Sequence, residues 1–426
     1  MNGASLMRRR VLQTFFLAAA GILAWRSVDL MFLRKDFLQD RGDARSLRVV
    51  EIPAHRGVIR DRHGEPLAIS TPVSSVWANP RRLLQARHQW PALAAVLGMK
   101  PDRLAAILEP RKRREFVYLK RHVPPPEAAR VMALDIPGVA LQREFRRYYP
   151  AGEMAAHVIG FTNVDDQGQE GLELTFDQRL RGEPGLKQVI KDGKGRVIED
   201  VEGIRPMRRG EDLFLSIDRR LQYLAYRELQ AAVSRHQARG GSLVLLDPRS
   251  GEVLALVNQP SFNPNNRSGL KSEYFRNRAV TDLLEPGSTI KPFTIAAALE
   301  TGAWTPRSLI DTSPGSLAIG RHRISDSHNY GRITIADVIR KSSNVGAAKV
   351  ALSLAPERLW DMYFAVGFGQ IPGAGFPGEA AGRLADWRDW GEAEQATIAF
   401  GYGLSVSCLQ LARAYAVFAN DGRLPA

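Results

Sequence analysis

A single cysteine, Cys408, stands among 426 residues, so no intrachain disulfide can staple this protein. It falls in the apolar stretch Leu404–Phe418 and reads as a small buried hydrophobe. Histidine and cysteine never cluster at metal-ligand spacing, and no zinc-finger pattern occurs, so neither a metal nor an organic cofactor is expected. Acidic residues are scarce, 45 against 59 Lys and Arg, which leaves a net charge of +14. That surplus suits anionic lipid, cell-wall polymer or nucleic acid. Nucleic acid is set aside, because the runs Arg8-Arg9-Arg10 and Arg111-Lys112-Arg113-Arg114 have no aromatics within them. A third stretch, Arg143 with Arg146-Arg147, neighbours Phe145, Tyr148 and Tyr149 but is short and isolated. The run at 111–114 reads instead as a solvated loop or helix face. Internal repeats and low-complexity tracts are absent as well.

Long apolar runs are also lacking, with one near exception. Val11–Trp25 is an uncharged, mostly apolar stretch of 15 residues behind three arginines, short of the ~20 needed to span a bilayer. Counting on to Leu33 reaches that length but takes in Arg26 and Asp29, and Arg26 could snorkel to the headgroups. The expectation is an uncleaved anchor over 1–34 with its arginines cytoplasmic. A cleaved signal peptide has the same signature. Either way, the rest of the chain is exported.

The length predicts two or three domains, and 44% apolar content is that of a folded chain. Arg56–Ala68 reads as a β-hairpin around a charged His-Gly turn. Residues 80–135 carry helical periodicity, broken by Pro101 and Pro124-Pro125-Pro126. Residues 140–218 return to short strands and glycine turns. A helix around Arg219–His236 leads to a boundary at Arg239-Gly240-Gly241. The hairpin Ser242–Asp247 and Glu252–Asn258 is apolar enough to be buried on both faces. From there the chain reads as helix-rich to its end.

Chemistry enters at Glu285-Pro286-Gly287-Ser288-Thr289-Ile290-Lys291-Pro292. The alanine-rich run that follows is a strong helix former ending at Gly302, and Pro292 is tolerable in its first turn. Ser288 is thus expected at a helix N-terminus with Lys291 at i+3 on the same face. A serine hydroxyl needs a base, and a lysine whose pKa is lowered can be one. Ser268-Gly269-Leu270-Lys271 has the same spacing in an Asn/Pro-rich loop with no helix behind it. A second element, Lys341-Ser342-Ser343-Asn344, begins its serine pair 54 residues after Ser288. S-x-N also occurs at 261–263 and 327–329, and helix capping is the alternative reading of Ser342 and Asn344.

S-T-I-K followed by S-S-N resembles the serine penicillin-binding proteins and serine β-lactamases. Arg147-Tyr148-Tyr149-Pro150-Ala151-Gly152, His157–Asn163 and Gly168–Glu173 resemble the pedestal of class B penicillin-binding proteins. Asn277–Asp282 and Phe400–Ser407 are similar to their transpeptidase domain. The likeness runs from about residue 20 to the end and is nearest the division-specific branch. It implies an α+β fold with an N-terminal membrane anchor, an irregular pedestal, and a transpeptidase domain whose sheet is covered by helices. The implied division is 1–34 tail and anchor, 35–236 pedestal of dimerisation type, and 237–426 transpeptidase domain.

The resemblance further implies that Ser288 attacks the penultimate D-alanine carbonyl of a stem pentapeptide. Lys291 would take the serine proton, Ser342 would relay a proton to the leaving amine, and Asn344 would hold the substrate amide and the lysine. An amine of a neighbouring stem peptide, diaminopimelate by expectation, would resolve the acyl-enzyme, and β-lactams would acylate the same serine. A single-pass location in the bacterial inner membrane at the division septum, with a periplasmic catalytic domain, goes with this. So do partners in the division complex, including a polymerising glycosyltransferase of the FtsW type. A non-catalytic interaction module and a hydrolase (β-lactamase or carboxypeptidase) are the alternatives. The family's third motif, K-T-G or K-S-G, occurs nowhere in the chain. It lines the opposite wall, next to an oxyanion donor worth about 3–4 kcal/mol. The expectation is a transpeptidase domain lacking its C-terminal part, and a 1–426 chain that is inactive or nearly so.

Overall fold

The computed structural model describes residues 3–29, 31, 47–191 and 197–425. Gly3–Val28 is one 26-residue helix whose side chains from Phe15 to Trp25 are largely exposed. No helix among the described residues is long and apolar enough to cross a membrane. The uncharged stretch inside this one is the short run seen in the sequence, and Arg26 pairs with Asp29 at 2.6 Å. Residues 30 and 32–34 of the expected anchor, and 35–46 of the expected pedestal, lie outside the described residues.

The chain forms two compact units, each discontinuous in sequence. The first comprises Met1–His55, Pro72–Phe145 and Glu183–Arg209. Its helices Trp90–Leu97, Pro101–Leu108 and Pro125–Ala133 each carry proline in the first turn, where a missing N–H costs nothing. Prolines read as breaks therefore start helices here, and the stop belongs to Gly98, left-handed at φ 65°. Leu93/Leu97 and Leu104/Leu108 recur at i, i+4 and fill one core with Val76, Leu119 and Val131. Leu47–Ile52, Gly185–Lys191 and Val197–Arg205 form an antiparallel three-stranded sheet.

The second unit comprises Arg56–Thr71, Arg146–Gly182 and Gly210–Ala426. Segments 56–71, 146–182 and 210–236, which a linear division assigns to the pedestal, thus fold together with residues 237–426. The first hairpin forms as read: Ile59 pairs with Ala68, and the Asp61 carboxylate accepts the N–H groups of His63 and Glu65 across the turn. A buried ion network ties the distant segments together. Arg56 Nε and Arg147 Nε donate to opposite oxygens of Glu173 at 2.8 and 2.6 Å, and Arg56 Nη1 reaches Asp177 at 2.8 Å. Three sequence motifs read separately thus meet at one carboxylate.

The hairpin Gly241–Leu246/Val253–Gln259 is antiparallel. Ala255 and Val257 face Ala225 of helix Arg219–Arg235, while Leu256 and Val244 join a cluster with Leu409 of helix Cys408–Ala416. Burial on both faces holds for the second strand only. Among the described residues the first strand has no outer neighbour, and its Leu245 is exposed. Cys408 opens its helix half-buried, packed against that cluster, and burial raises its thiol pKa. The later chain is not purely helical either. Leu309–Asp311 pairs with Arg332–Thr334, and Ser316–Ile319 pairs with His322–Ser325. Around these, Lys291–Glu300, Asn344–Leu352, Pro356–Ala365 and Glu392–Ile398 enclose the largest apolar core.

Candidate active site

Ser288 does not begin the α-helix. It lies in a 3₁₀ turn, Gly287–Ile290, that runs directly into helix Lys291–Glu300. A 3₁₀ turn eclipses positions i and i+3, which aligns Ser288 with Lys291 more closely than an α-turn would. Pro292 falls within the first turn of that helix, as expected. The turn is clamped from behind. Gly287 N–H donates to Gly401 O at 3.1 Å, and Thr289 Oγ1 donates to Pro286 O at 2.7 Å. Gly401 sits at φ 94°, where a Cβ would lie 2.0 Å from Gly287 O, so only glycine permits this approach.

Ser288 faces solvent, whereas Lys291 is 1% exposed. Lys291 Nζ lies 3.1 Å from Ser288 Oγ, 2.6 Å from Ser342 O, 3.0 Å from Ser342 Oγ and 2.8 Å from Asn344 Oδ1. An ammonium has three protons for these four oxygens. A neutral amine has two, and its lone pair can then accept the Ser288 proton. Burial pushes Lys291 down to about 8 from an ordinary 10.5, against the opposing pull of the Asp326 charge. The lowered value brings the free base within reach near neutral pH.

Ser342 and Asn344 come to the lysine from the turn between helices Ile335–Arg340 and Asn344–Leu352. The capping alternative is resolved by a neighbour: Ser343 caps the second helix, its Oγ accepting from Gly346 N–H at 2.8 Å. Ser342 makes no cap and is held at φ 54°, with its carbonyl and hydroxyl both on Lys291. The second serine–lysine pair is not assembled this way. Ser268 and Lys271 are exposed, and Ser268 N–H is taken by Asn266. Of the other two triplets, Ser261 donates to Glu153 O, and Ser327 pairs with Tyr330.

Sequence reasoning missed Asp326, whose carboxylate accepts from Ser343 Oγ and the N–H groups of Asn344 and Val345. Its only signal is an acid in the polar run Ser325-Asp326-Ser327-His328-Asn329, which reads as a turn. It also missed the clamp of Gly401 on Gly287, which joins positions more than a hundred residues apart.

The assembled groups can do one kind of chemistry. A buried base, largely desolvated, faces an exposed hydroxyl, and a second hydroxyl and an amide carbonyl hold the base from the far side. That is the constellation of serine acyl transfer. The comparisons agree. The penicillin binding protein transpeptidase domain matches residues 241–426, and the penicillin-binding protein dimerisation domain matches 51–215. The probable peptidoglycan D,D-transpeptidase PbpC of Pseudomonas aeruginosa is 42% identical over 411 residues, 96% of this chain and 73% of that protein. Peptidoglycan D,D-transpeptidase FtsI of Escherichia coli is 44% identical over 411 residues, 95% of this chain and 69% of that protein. Among solved structures, a peptidoglycan synthetase from Bifidobacterium adolescentis superimposes with a TM-score of 0.66 at 25% identity, covering 88% of this chain and 73% of its own. Penicillin binding protein 3 from Mycobacterium tuberculosis, complexed with aztreonam, gives 0.65 at 28% identity, covering 88% of this chain and 66% of its own. With both domain types in order and relatives this similar over nearly its whole length, the chain belongs to the class B penicillin-binding proteins, the peptidoglycan D,D-transpeptidases that include FtsI.

Proposed function

We propose that the protein is a septal peptidoglycan D,D-transpeptidase working through an acyl-enzyme on Ser288. The observation that carries this is the buried Lys291 amine at 3.1 Å from Ser288 Oγ, ringed by Ser342 and Asn344. The neutral amine takes the hydroxyl proton as Oγ attacks the penultimate D-alanine carbonyl of a stem pentapeptide. Ser342 passes a proton to the departing D-alanine amine, and the ester on Ser288 remains. Asn344 holds the lysine and the substrate amide. An amine from a neighbouring stem peptide, of the diaminopimelate type, then attacks the ester, forms the cross-link and returns the proton to the site. A β-lactam forms the same ester without a leaving group that departs, and so stays attached.

The septal assignment is supported by the likeness to FtsI, and puts the protein with a division complex that includes a glycosyltransferase of the FtsW type. Residues 1–34 act as tail and membrane anchor in this reading, supported by the three arginines ahead of the uncharged, mostly apolar run Val11–Trp25. In chain order residues 35–236 belong to the pedestal and 237–426 to the transpeptidase domain in this reading, although segments 56–71, 146–182 and 210–236 fold together with 237–426, and both lie on the periplasmic side of the inner membrane.

Labelled penicillin tests the reading. On a chain that also carries a K-T-G or K-S-G motif, covalent label abolished by Ser288→Ala is expected, together with D-alanine release from a pentapeptide when an acceptor amine is present. Absence of label even on a chain extended through a K-T-G or K-S-G motif would sink it. Rapid loss of the label as penicilloate would instead mark a hydrolase.

A further inference from the structure

Strand His322–Ser325 ends one residue before Asp326, and so delivers that carboxylate to the start of helix Asn344–Leu352. Asp326 Oδ1 accepts from the main-chain N–H of Asn344 at 2.5 Å and of Val345 at 3.0 Å. Oδ2 accepts from the Ser343 hydroxyl at 2.6 Å. The strand is held in place by Asp326 N–H on Gly315 O at 3.0 Å and by Asn344 Nδ2 on Ser325 O at 3.2 Å. A helix leaves its first N–H groups without partners, and a serine cap takes one of them, at the second or third position. Here Ser343 takes Gly346, and Asp326 takes the two donors before it, Asn344 and Val345.

The consequence falls on Ser342. With capping done by others, Ser342 is free to stand at φ 54° with both its oxygens on Lys291. A left-handed backbone costs a non-glycine residue about 1–2 kcal/mol and persists only where its surroundings over-determine it. Asp326 also sets a negative charge that favours the ammonium form of Lys291 and opposes the effect of burial. Of the other ionisable side chains on the flanking segments, Glu285, His322, Arg323, His328, Arg340 and Lys341 are exposed to solvent, and the half-buried Asp337 is paired with Arg340.

The geometry points to Asp326 as a positioning residue for acylation, anchoring the Ser342–Asn344 turn against Lys291 through three charge-assisted hydrogen bonds. This rests on the reading of Ser288 as nucleophile and Lys291 as base. Asp326 itself touches neither of them by hydrogen bond. It acts through the turn and through its field.

The test is the second-order rate of acylation by fluorescent penicillin, measured from about pH 6 to about pH 10 on wild type and three variants of the chain extended through a K-T-G or K-S-G motif, with thermal melts beside it. Asp326→Asn keeps an acceptor for the two N–H groups and removes the charge. It is expected to slow acylation about tenfold and to move the acid limb of the profile about 0.5–1 unit toward lower pH, because an ammonium without a nearby carboxylate loses its proton more easily. Asp326→Ala removes the anchor as well and should cost about a hundredfold, the scale of a misplaced catalytic group. Asp326→Glu should recover part of the rate and return the limb toward wild type. A Asp326→Asn protein with wild-type rate and profile overturns the assignment. So do variants whose rates fall only in proportion to the unfolded fraction, with the acid limb unmoved. A chain extended through the third motif that takes no label, or label that survives Ser288→Ala, overturns the reading of the site itself and the positioning role with it.

Discussion

Lys291 Nζ lies 3.1 Å from Ser288 Oγ, and only 1% of the lysine is exposed. The two residues are three apart in sequence, yet one is solvent-facing and the other is sealed by its own helix and by the Ser342–Asn344 turn. That asymmetry is what the chemistry needs. The hydroxyl must be open to a large substrate, while the amine must be dry enough to give up its charge.

Acylation should therefore follow the free amine. With Lys291 pushed down to about 8, the rate should climb with pH and level off above about that value. Lys291→Arg, charged at every accessible pH, should lose about 10²–10⁴ in rate with no recovery in alkali. A flat profile from about pH 6 to about pH 9 in wild type would exclude the lysine as base. The stability sign follows from linkage. The folded pKa of about 8 is below the ordinary 10.5, so the unfolded chain binds more protons between them. The cost of burying the ammonium is fully present below about 8 and is relieved as pH rises toward 10.5. The urea midpoint of wild type relative to Lys291→Met should rise across that window.

Gly401→Ala should damage the site from behind. Its methyl would stand 2.0 Å from Gly287 O and 2.4 Å from Gly287 N, at φ 94°. The turn that carries Ser288 must shift, and a displacement of about 1 Å can cost about a hundredfold in rate. Gly403→Ala is the control. That residue is also left-handed, φ 87°, but no atom lies within 4 Å of a Cβ there. It should cost only backbone strain, about 1–2 kcal/mol, read from denaturant midpoints. Equal penicillin acylation in the two variants would show that the Gly401–Gly287 contact does not hold the nucleophile.

Glu173→Ala should be among the most destabilising single changes in the second unit. It would take the carboxylate from Arg147 and leave Arg56 with Asp177 alone, in a site where the Glu173 side chain is 0% exposed. Breaking a buried ion pair from one side costs about 3–5 kcal/mol, whereas an exposed pair is worth at most about 1 kcal/mol. Arg87→Ala, which removes the exposed Arg87–Glu109 pair, supplies that comparison. Chemical denaturation of the two variants measures the difference. Similar midpoints would mean that water or relaxation satisfies the arginines.

Much of the site was legible because it is local. Ser288, Lys291 and Pro292 lie within one turn, and their helix follows from the alanines behind them. The paired motif at Ser342–Asn344 was legible as a pattern, but its division of labour was not. Which of three consecutive polar residues caps a helix depends on the backbone angle at each. That angle is set by Asp326 and by Lys291, which lies 51 residues upstream of Ser342. The prolines at 101 and 124–126 were read as breaks because a local rule cannot tell a stop from a start. Gly98 had to be seen in its left-handed turn first. The hairpin at Gly241–Gln259 was found from its apolar run, but the exposure of Leu245 depends on whether another strand lies beside it.

By itself, then, the sequence offered Ser288 and Lys291 as a candidate nucleophile and base, because residue spacing along a helix or turn is a property of the chain alone, and its resemblance to a family offered the order of the two domain types. Only the tertiary structure decided that Arg56, Arg147 and Glu173 share one buried network, that Gly401 abuts Gly287, and that Asp326 holds the turn that seals Lys291. Those contacts join segments from 17 to 117 residues apart. Their free energy comes from closing the chain and excluding water, and no window along the sequence contains both partners of the longest of them.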